Sequence, residues 1–303
     1  MKNIYLTFDI ENIVTGLGYN PNNVVGMYLG AMYIANILKK NNLKGTFFIS
    51  MSPKLKEVTY ASHVLLLDWL IDSLKNYSNI KLAPHMHVHE LPMDFDCKSD
   101  LWSDYSFEEQ VELLSYAKDF FFKRGIIVDT FRPGGFFSNS DYYHALSMAG
   151  YKYSSTLNAD MNVSIDMILN QVSSKIPYET KYSISEYPAD SVRVKSIKGD
   201  IEVLNLSPDF FTIESMDQYF QSMDCLNVNF HSFSVFINRP IRENHRLQLM
   251  KNINFIVFER LMIKLLRNLN FEVIDGGTSP RLEFEKWIKY FVDKGYESYF
   301  IGE

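Results

Sequence analysis

Ile80-Lys81-Leu82-Ala83-Pro84-His85-Met86-His87-Val88-His89-Glu90 is a β-type run that passes directly into three histidines at alternate positions. Three of the chain's seven histidines fall within five residues, and neutral imidazole is the commonest protein ligand for zinc and its neighbours. On a fully extended strand, at roughly 3.3 Å per residue, His85 and His89 would stand about 13 Å apart on one face, too far to share an ion. They converge only if the strand ends inside the motif and the chain bends, because residues four apart become neighbours on a helical turn. Without such a bend the segment is a polar strand edge.

On either side of this stretch, short β-rich runs alternate with helical patterns, the signature of parallel strands joined by crossover helices. The predicted strands are 4–10, 45–51, 80–87, 128–134, 151–156, 184–189, 226–235 and 271–274, and eight of them suggest a barrel. Helical periodicity covers 24–41, 60–77, 107–124, 141–149, 213–223, 242–268 and 282–294. Ser106-Phe107-Glu108-Glu109 reads as a capping box and Gly125 as the matching C-cap. Residues 192–198 and 201–206 around Lys198-Gly199-Asp200 read as a hairpin on the barrel rim, and the polar 158–181 stretch joins it as a candidate substrate cleft. No repeat and no linker divides the chain, so residues 1–303 are expected to form one domain.

Composition narrows the function classes. With 303 residues, 47% hydrophobic and 22% charged, the chain can bury a large core, and a net charge of -6 with scattered Lys and Arg disfavours nucleic acid and anionic membrane surfaces. Cys97 and Cys225 lack metal-ligand or disulfide-framework spacing. The apolar run after Lys2 reaches only Phe8 before Asp9, too short for a secretory core, and no segment could span a bilayer. A cytoplasmic enzyme is expected.

Three further segments stand at predicted strand ends, where barrel enzymes keep their active sites. Thr7-Phe8-Asp9-Ile10-Glu11 places two carboxylates on one face, suited to a metal ligand beside a base, although Asp9 could equally cap a turn. Thr130-Phe131-Arg132-Pro133-Gly134-Gly135-Phe136 offers a guanidinium fork to a carboxylate from a tight loop. Asn227-Val228-Asn229-Phe230-His231 carries a histidine late in an apolar strand, a position that suits either a satisfied core residue or a catalyst.

Taken in order, these segments resemble the polysaccharide deacetylase family with NodB homology, carbohydrate esterase family 4. Thr7-Phe8-Asp9 resembles the opening Thr-Phe-Asp-Asp motif, Gly45-Thr46-Phe47-Phe48 its second strand, and His85 with His89 the four-residue spacing of its metal histidines. Phe131-Arg132-Pro133-Gly134-Gly135 is similar to its arginine motif and Phe230-His231-Ser232 to its late histidine motif, so the matches run from about residue 3 to 276. The resemblance implies a distorted (β/α) barrel of seven or eight strands, one divalent ion, usually zinc, and removal of an N-acyl group, normally acetyl, from an amino sugar or glycan precursor. It implies Asp9 as general base, Arg132 as the residue holding it, His231 as general acid, and His85 and His89 as metal ligands. Ile10 stands where the family has its metal-binding aspartate, so Glu11 is assigned as the replacement ligand, with His87 as another way to complete the shell. Two other readings stay open. One is a metal-independent glycoside hydrolase pairing Asp9 with Glu11, or either with Glu186; the other is a sugar-binding barrel without catalysis.

Overall fold

The structure, a computed structural model, describes residues 2–11, 22–51, 60–88, 99–136, 138–156, 177–195, 201–209, 211–236 and 279–303. The strand β1 (Asn3–Ile10) pairs with three other strands. β10 (Cys225–His231) pairs with β1 along one edge from Asn3↔Cys225 to Asp9↔His231. The other edge is shared by β11 (Glu297–Tyr299), against residues 3–5, and β2 (Gly45–Ser50), against residues 7–10. Beyond β2 follow β3 (Ile80–Met86), β4 (Thr130–Pro133), β5 (Tyr153–Ser154) and β7 (Ser185–Glu186), each parallel to its neighbour, and β6 (Tyr178–Glu179) closes the row antiparallel to β7. The parallel steps are bridged by α1 (Asn22–Lys40), α2 (Tyr60–Leu74), α3 (Phe107–Phe122) and α4 (Tyr142–Met148), as βα alternation requires. Two more helices, α5 (Ile213–Ser222) and α6 (Ser279–Asp293), precede β10 and β11.

The row of strands curls so that the chain just after β7 meets β10. Asp190, just after β7, donates its N–H to Asn227 on β10 at 2.9 Å and accepts from the Leu206 N–H at 2.7 Å, while Asn229 donates to the Leu206 carbonyl at 3.2 Å. The antiparallel hairpin β8 (Ser191–Lys195) and β9 (Ile201–Asn205) springs from that seam, at the rim position expected of it.

Period-two alternation sorts side chains to the two faces. Ile4, Leu6, Phe8 and Ile10 join the large core under the helices, whereas Tyr5 packs inside the barrel with Phe48, Ala83, Tyr187 and Ile301. Burying each such aliphatic or aromatic side chain contributes roughly 1.5–3 kcal/mol, so the two-faced pattern holds β1 in register. The C-terminal turn seals the floor, with the Ile301 N–H donating to Thr46 Oγ1 at 3.1 Å and Lys81 Nζ to the Ile301 carbonyl at 2.8 Å. Above this apolar floor the interior turns polar.

The capping box forms as expected: Ser106 Oγ accepts from the Glu109 N–H, and Glu109 accepts from the Ser106 N–H. Gly125, at φ 75°, lets the Ile126 N–H reach back to the Phe121 carbonyl. Several boundaries differ from expectation. β10 stops at His231, and Ser232–Phe236 is a 3-10 turn rather than strand. β3 ends at Met86, and the expected strands at 128–134, 151–156 and 184–189 shrink to between two and four residues. The short curved strands of a barrel keep only a few ladder bonds each before loops take over. The expected helix 242–268 and strand 271–274 lie outside the described residues. No helix among the described residues is long and apolar enough to cross a membrane.

Candidate functional site

Asp9, His85, Arg132 and His231 all sit at the C-terminal ends of parallel strands, so curling the sheet brings them to one mouth. Arg132 is fully buried, and every donor of its guanidinium is used. Nε donates to the Ser155 carbonyl (3.1 Å), Nη1 to Asp9 Oδ1 (2.6 Å) and Asn229 Oδ1 (3.0 Å), and Nη2 to Thr7 Oγ1 (3.0 Å) and Ser155 Oγ (2.7 Å). Its plane lies 3.9 Å from the Phe48 ring centre. Asn229 Nδ2 donates to the other Asp9 oxygen at 2.9 Å. Burial raises the cost of the Asp9 charge, but Arg132, His85 and His231 together outweigh it and hold the carboxyl below its ordinary range.

Alternation continues through the histidine stretch: Met86 and Val88 enter the helix-side core, and His85 and His87 face the mouth. His85 Nε2 lies 3.0 Å and His87 Nε2 2.8 Å from the same oxygen, Glu11 Oε2. The far nitrogens also have partners, His85 Nδ1 at 3.2 Å from the Arg132 carbonyl and His87 Nδ1 at 2.6 Å from Asp100 Oδ2. A carbonyl or a carboxylate only accepts, so each Nδ1 is placed to hold a proton, and each Nε2 is left to donate to Glu11 or, once its proton is lost, to turn a lone pair to a cation. Burial opposes the charge on Glu11, yet His87 nearby and the bonds to His85 and His87 hold it well below the ordinary carboxylate range. Two imidazole nitrogens and one carboxylate oxygen therefore converge, and either protons on the nitrogens or a cation in their place can join them. Glu11, His85 and His87 present ligand atoms within 4.8 Å of one another, a group able to hold a metal ion. Imidazoles whose outer N–H is held by a carbonyl or carboxylate are the usual form of metal-ligating histidine, so this donor set fits a divalent ion.

The third element is His231. Its Nδ1 lies 3.0 Å from Asp209 Oδ2, and its Nε2 faces Glu11 Oε1 at 3.4 Å and Asp9 Oδ2 at 3.9 Å. Burial would lower its pKa, but the bond to Asp209 and the charges of Asp209, Glu11 and Asp9 push it up to about 9. Held by Asp209 on Nδ1 and facing Asp9 and Glu11 with Nε2, the ring is placed to donate a proton into the mouth.

Five of the six residues singled out from the sequence, Asp9, Glu11, His85, Arg132 and His231, thus meet in one site. The sixth, His89, lies outside the described residues. Ile10, at the position of the family's second aspartate, is buried in the core under the helices, and Glu11 reaches the mouth in its place. Sequence reasoning missed Asn229, Asp209 and Asp100. Asn229 was signalled by the alternation Asn227, Asn229, His231 on one strand face. Asp209 arrives from the turn after β9 and Asp100 from a loop between β3 and α3, and neither has a periodic context to mark it.

No family model matches this chain, and no curated protein matches it significantly. Solved structures do. A protein from Mycobacterium smegmatis assigned as a polysaccharide deacetylase shares 17% identity over 95% of this chain and 91% of its own, with a TM-score of 0.50. A Bordetella bronchiseptica protein, assigned as a polysaccharide deacetylase involved in O-antigen biosynthesis, shares 12% identity over 95% and 90%, with a TM-score of 0.47. The 4-alpha-glucanotransferase of Thermococcus litoralis shares 11% identity over 98% of this chain and 37% of its own, with a TM-score of 0.50. At these identities the likeness at a TM-score of 0.50 establishes the fold alone, the distorted α/β barrel of NodB type. Because neighbours with that fold carry different chemistries, function has to be argued from the site.

Proposed function

We propose that this chain is a metal-dependent hydrolase that removes an N-acyl group, with acetyl as the expected case, from an amino sugar or glycan precursor. The observation that carries this reading is the convergence of two proton-held imidazoles on one ionised carboxylate, beside a clamped aspartate and an aspartate-held histidine. Glu11, His85 and His87 would hold the ion, a nitrogen-rich set suited to zinc, and that ion when bound acidifies water and polarises the scissile carbonyl.

The protein's own groups supply the proton traffic. Asp9, kept ionised and immobile by Arg132 and Asn229, accepts a proton from the attacking water as the C–O bond forms. His231, oriented by Asp209, gives the Nε2 proton to the amine nitrogen as the C–N bond breaks, so that carboxylate and amine leave. The resemblance in the order of motifs agrees with these roles.

The site argues against a paired-carboxylate glycosidase. The acid of such a pair needs a raised pKa, whereas Asp9 and Glu11 are both held low. Glu186, the other carboxylate considered, is fully buried and accepts from the Tyr143 hydroxyl and the Thr156 N–H.

The test is acetate release from a panel of free, nucleotide-linked and lipid-linked N-acetylated amino sugars, with zinc supplied and then chelated. Release that stops on chelation and returns with zinc is expected. Sugar binding without acyl release at full zinc occupancy would replace this reading with a binding barrel, and release indifferent to chelation would remove the metal from it.

A further inference from the structure

His87 reaches the site through a seat that two distant parts of the chain build around a single atom. The first part is the loop before α3. Asp100 Oδ2 stands 2.6 Å from His87 Nδ1, and the loop that presents it is tied down on both sides. Ser99 donates its N–H to the Tyr105 hydroxyl (3.1 Å) and accepts from that hydroxyl on its carbonyl (2.7 Å), and the Leu101 N–H donates to Ser99 Oγ (2.9 Å). Trp102, buried against Phe131 and Tyr142, anchors the next residue, and its carbonyl accepts from the Gln110 and Asn139 amides.

The second part is Gly134, directly after Arg132-Pro133. A Cβ on Gly134 would fall 2.3 Å from His87 Nδ1 and 2.6 Å from its Cγ and Cε1, so the ring lies against the bare backbone. Gly134 is not among the glycines with positive φ, unlike Gly135 at φ 62°. Its lack of a side chain therefore serves the space the ring occupies, not a backbone conformation. Both features act on His87 Nδ1, the nitrogen turned away from Glu11, and between them they set the direction of Nε2.

Resting on the metal reading above, the geometry points to Asp100 and Gly134 as positioning residues that make His87 a ligand of the cation site, by fixing its tautomer and ring orientation. Asp100 acts through His87 and does not itself ligate. In this chain the arm that joins His85 and Glu11 is thereby the residue two positions on, just past the end of β3, held by a loop carboxylate and a glycine floor.

The experiment is calorimetric titration of the metal-free full chain with Zn²⁺, in wild type, Asp100→Ala, Asp100→Asn, Gly134→Ala, His87→Gln and the Asp100→Ala/His87→Gln double variant, with Co²⁺ absorption reporting the ligand field. Circular dichroism establishes that each variant is folded. Because an alanine fits the Gly134 backbone and only pushes the ring aside, Gly134→Ala reports on the seat even if Asp100→Ala fails to fold. Loss of an orienting partner typically weakens metal affinity about 10–100-fold, and that loss is expected for Asp100→Ala and Gly134→Ala, with Asp100→Asn in between. The double variant should bind no more weakly than His87→Gln, and the Co²⁺ spectra of Gly134→Ala and His87→Gln should shift alike. Wild-type affinity in both Asp100→Ala and Gly134→Ala overturns the assignment, as does an Asp100→Ala loss that persists in the His87→Gln background, which would make Asp100 a ligand itself. Failure of wild type to take up Zn²⁺ overturns the underlying metal reading, and this assignment with it.

Discussion

Two carboxylates two residues apart at the end of β1, Asp9 within the strand and Glu11 just past it, are held in opposite ways. The side chains of Asp9 and Arg132 are 3% and 0% exposed, and the guanidinium meets a partner with every N–H, so this half of the mouth is complete without any ligand. Glu11 and His87 are 13% and 20% exposed, and their contact can be made through a proton or through a shared cation. The contrast separates a permanent fixture, which keeps the base ionised and aimed, from a receptor whose own groups are in balance only when protons or a cation arrive.

The difference can be broken from either side. Asp9→Asn should have the largest effect, removing the base and lowering turnover by about 10²–10⁴-fold, while Zn²⁺ affinity stays near wild type. A parallel fall in affinity would merge the two halves. Arg132→Met should cost about 3–5 kcal/mol in urea unfolding, because it strands a buried carboxylate, and a loss under about 1 kcal/mol would show that Asp9 is not held as described. Zinc at about a thousand times its Kd should stabilise wild type and Asp9→Asn by about 4 kcal/mol and leave His85→Ala unmoved. Equal stabilisation of His85→Ala would place the ion elsewhere.

The smallest effect concerns pH. In the folded metal-free protein His231 titrates at about 9, above its ordinary 6.5. The stability it contributes is fully present below pH 6.5 and is lost as pH rises through 9. Urea midpoints of the metal-free chain should therefore fall over that window, and Asp209→Asn should flatten the fall. An unchanged slope in that variant would remove Asp209 as the cause.

Much of this is legible in the sequence. Alternation places Asp9 and Glu11 on one face and sends Ile10 into the core, which settles which carboxylate can serve the mouth. The strand-end positions of His85, Arg132 and His231 told of convergence because parallel βα units put all such ends on one side. Asp209 and Asp100 were not legible. Each is delivered by an irregular turn whose partner lies 22 or 13 residues away, and the approach depends on the curl of the sheet. The three-residue β11 and the two-residue β6 were missed for a related reason: strands so short show no alternation, and their pairing is set by the neighbours they meet. The four-residue histidine spacing drew attention to His89, while the groups that gather among the described residues are His85 and His87, two apart on one face of a strand that has just ended.

The most direct measurement is an anomalous difference map from zinc-soaked crystals, collected on both sides of the zinc edge. The account predicts one peak bonded to a Glu11 oxygen and to Nε2 of His85 and His87, at about 2.0–2.2 Å from each. A map without a peak there at saturating zinc, with both imidazoles still hydrogen-bonded to Glu11, would contradict it.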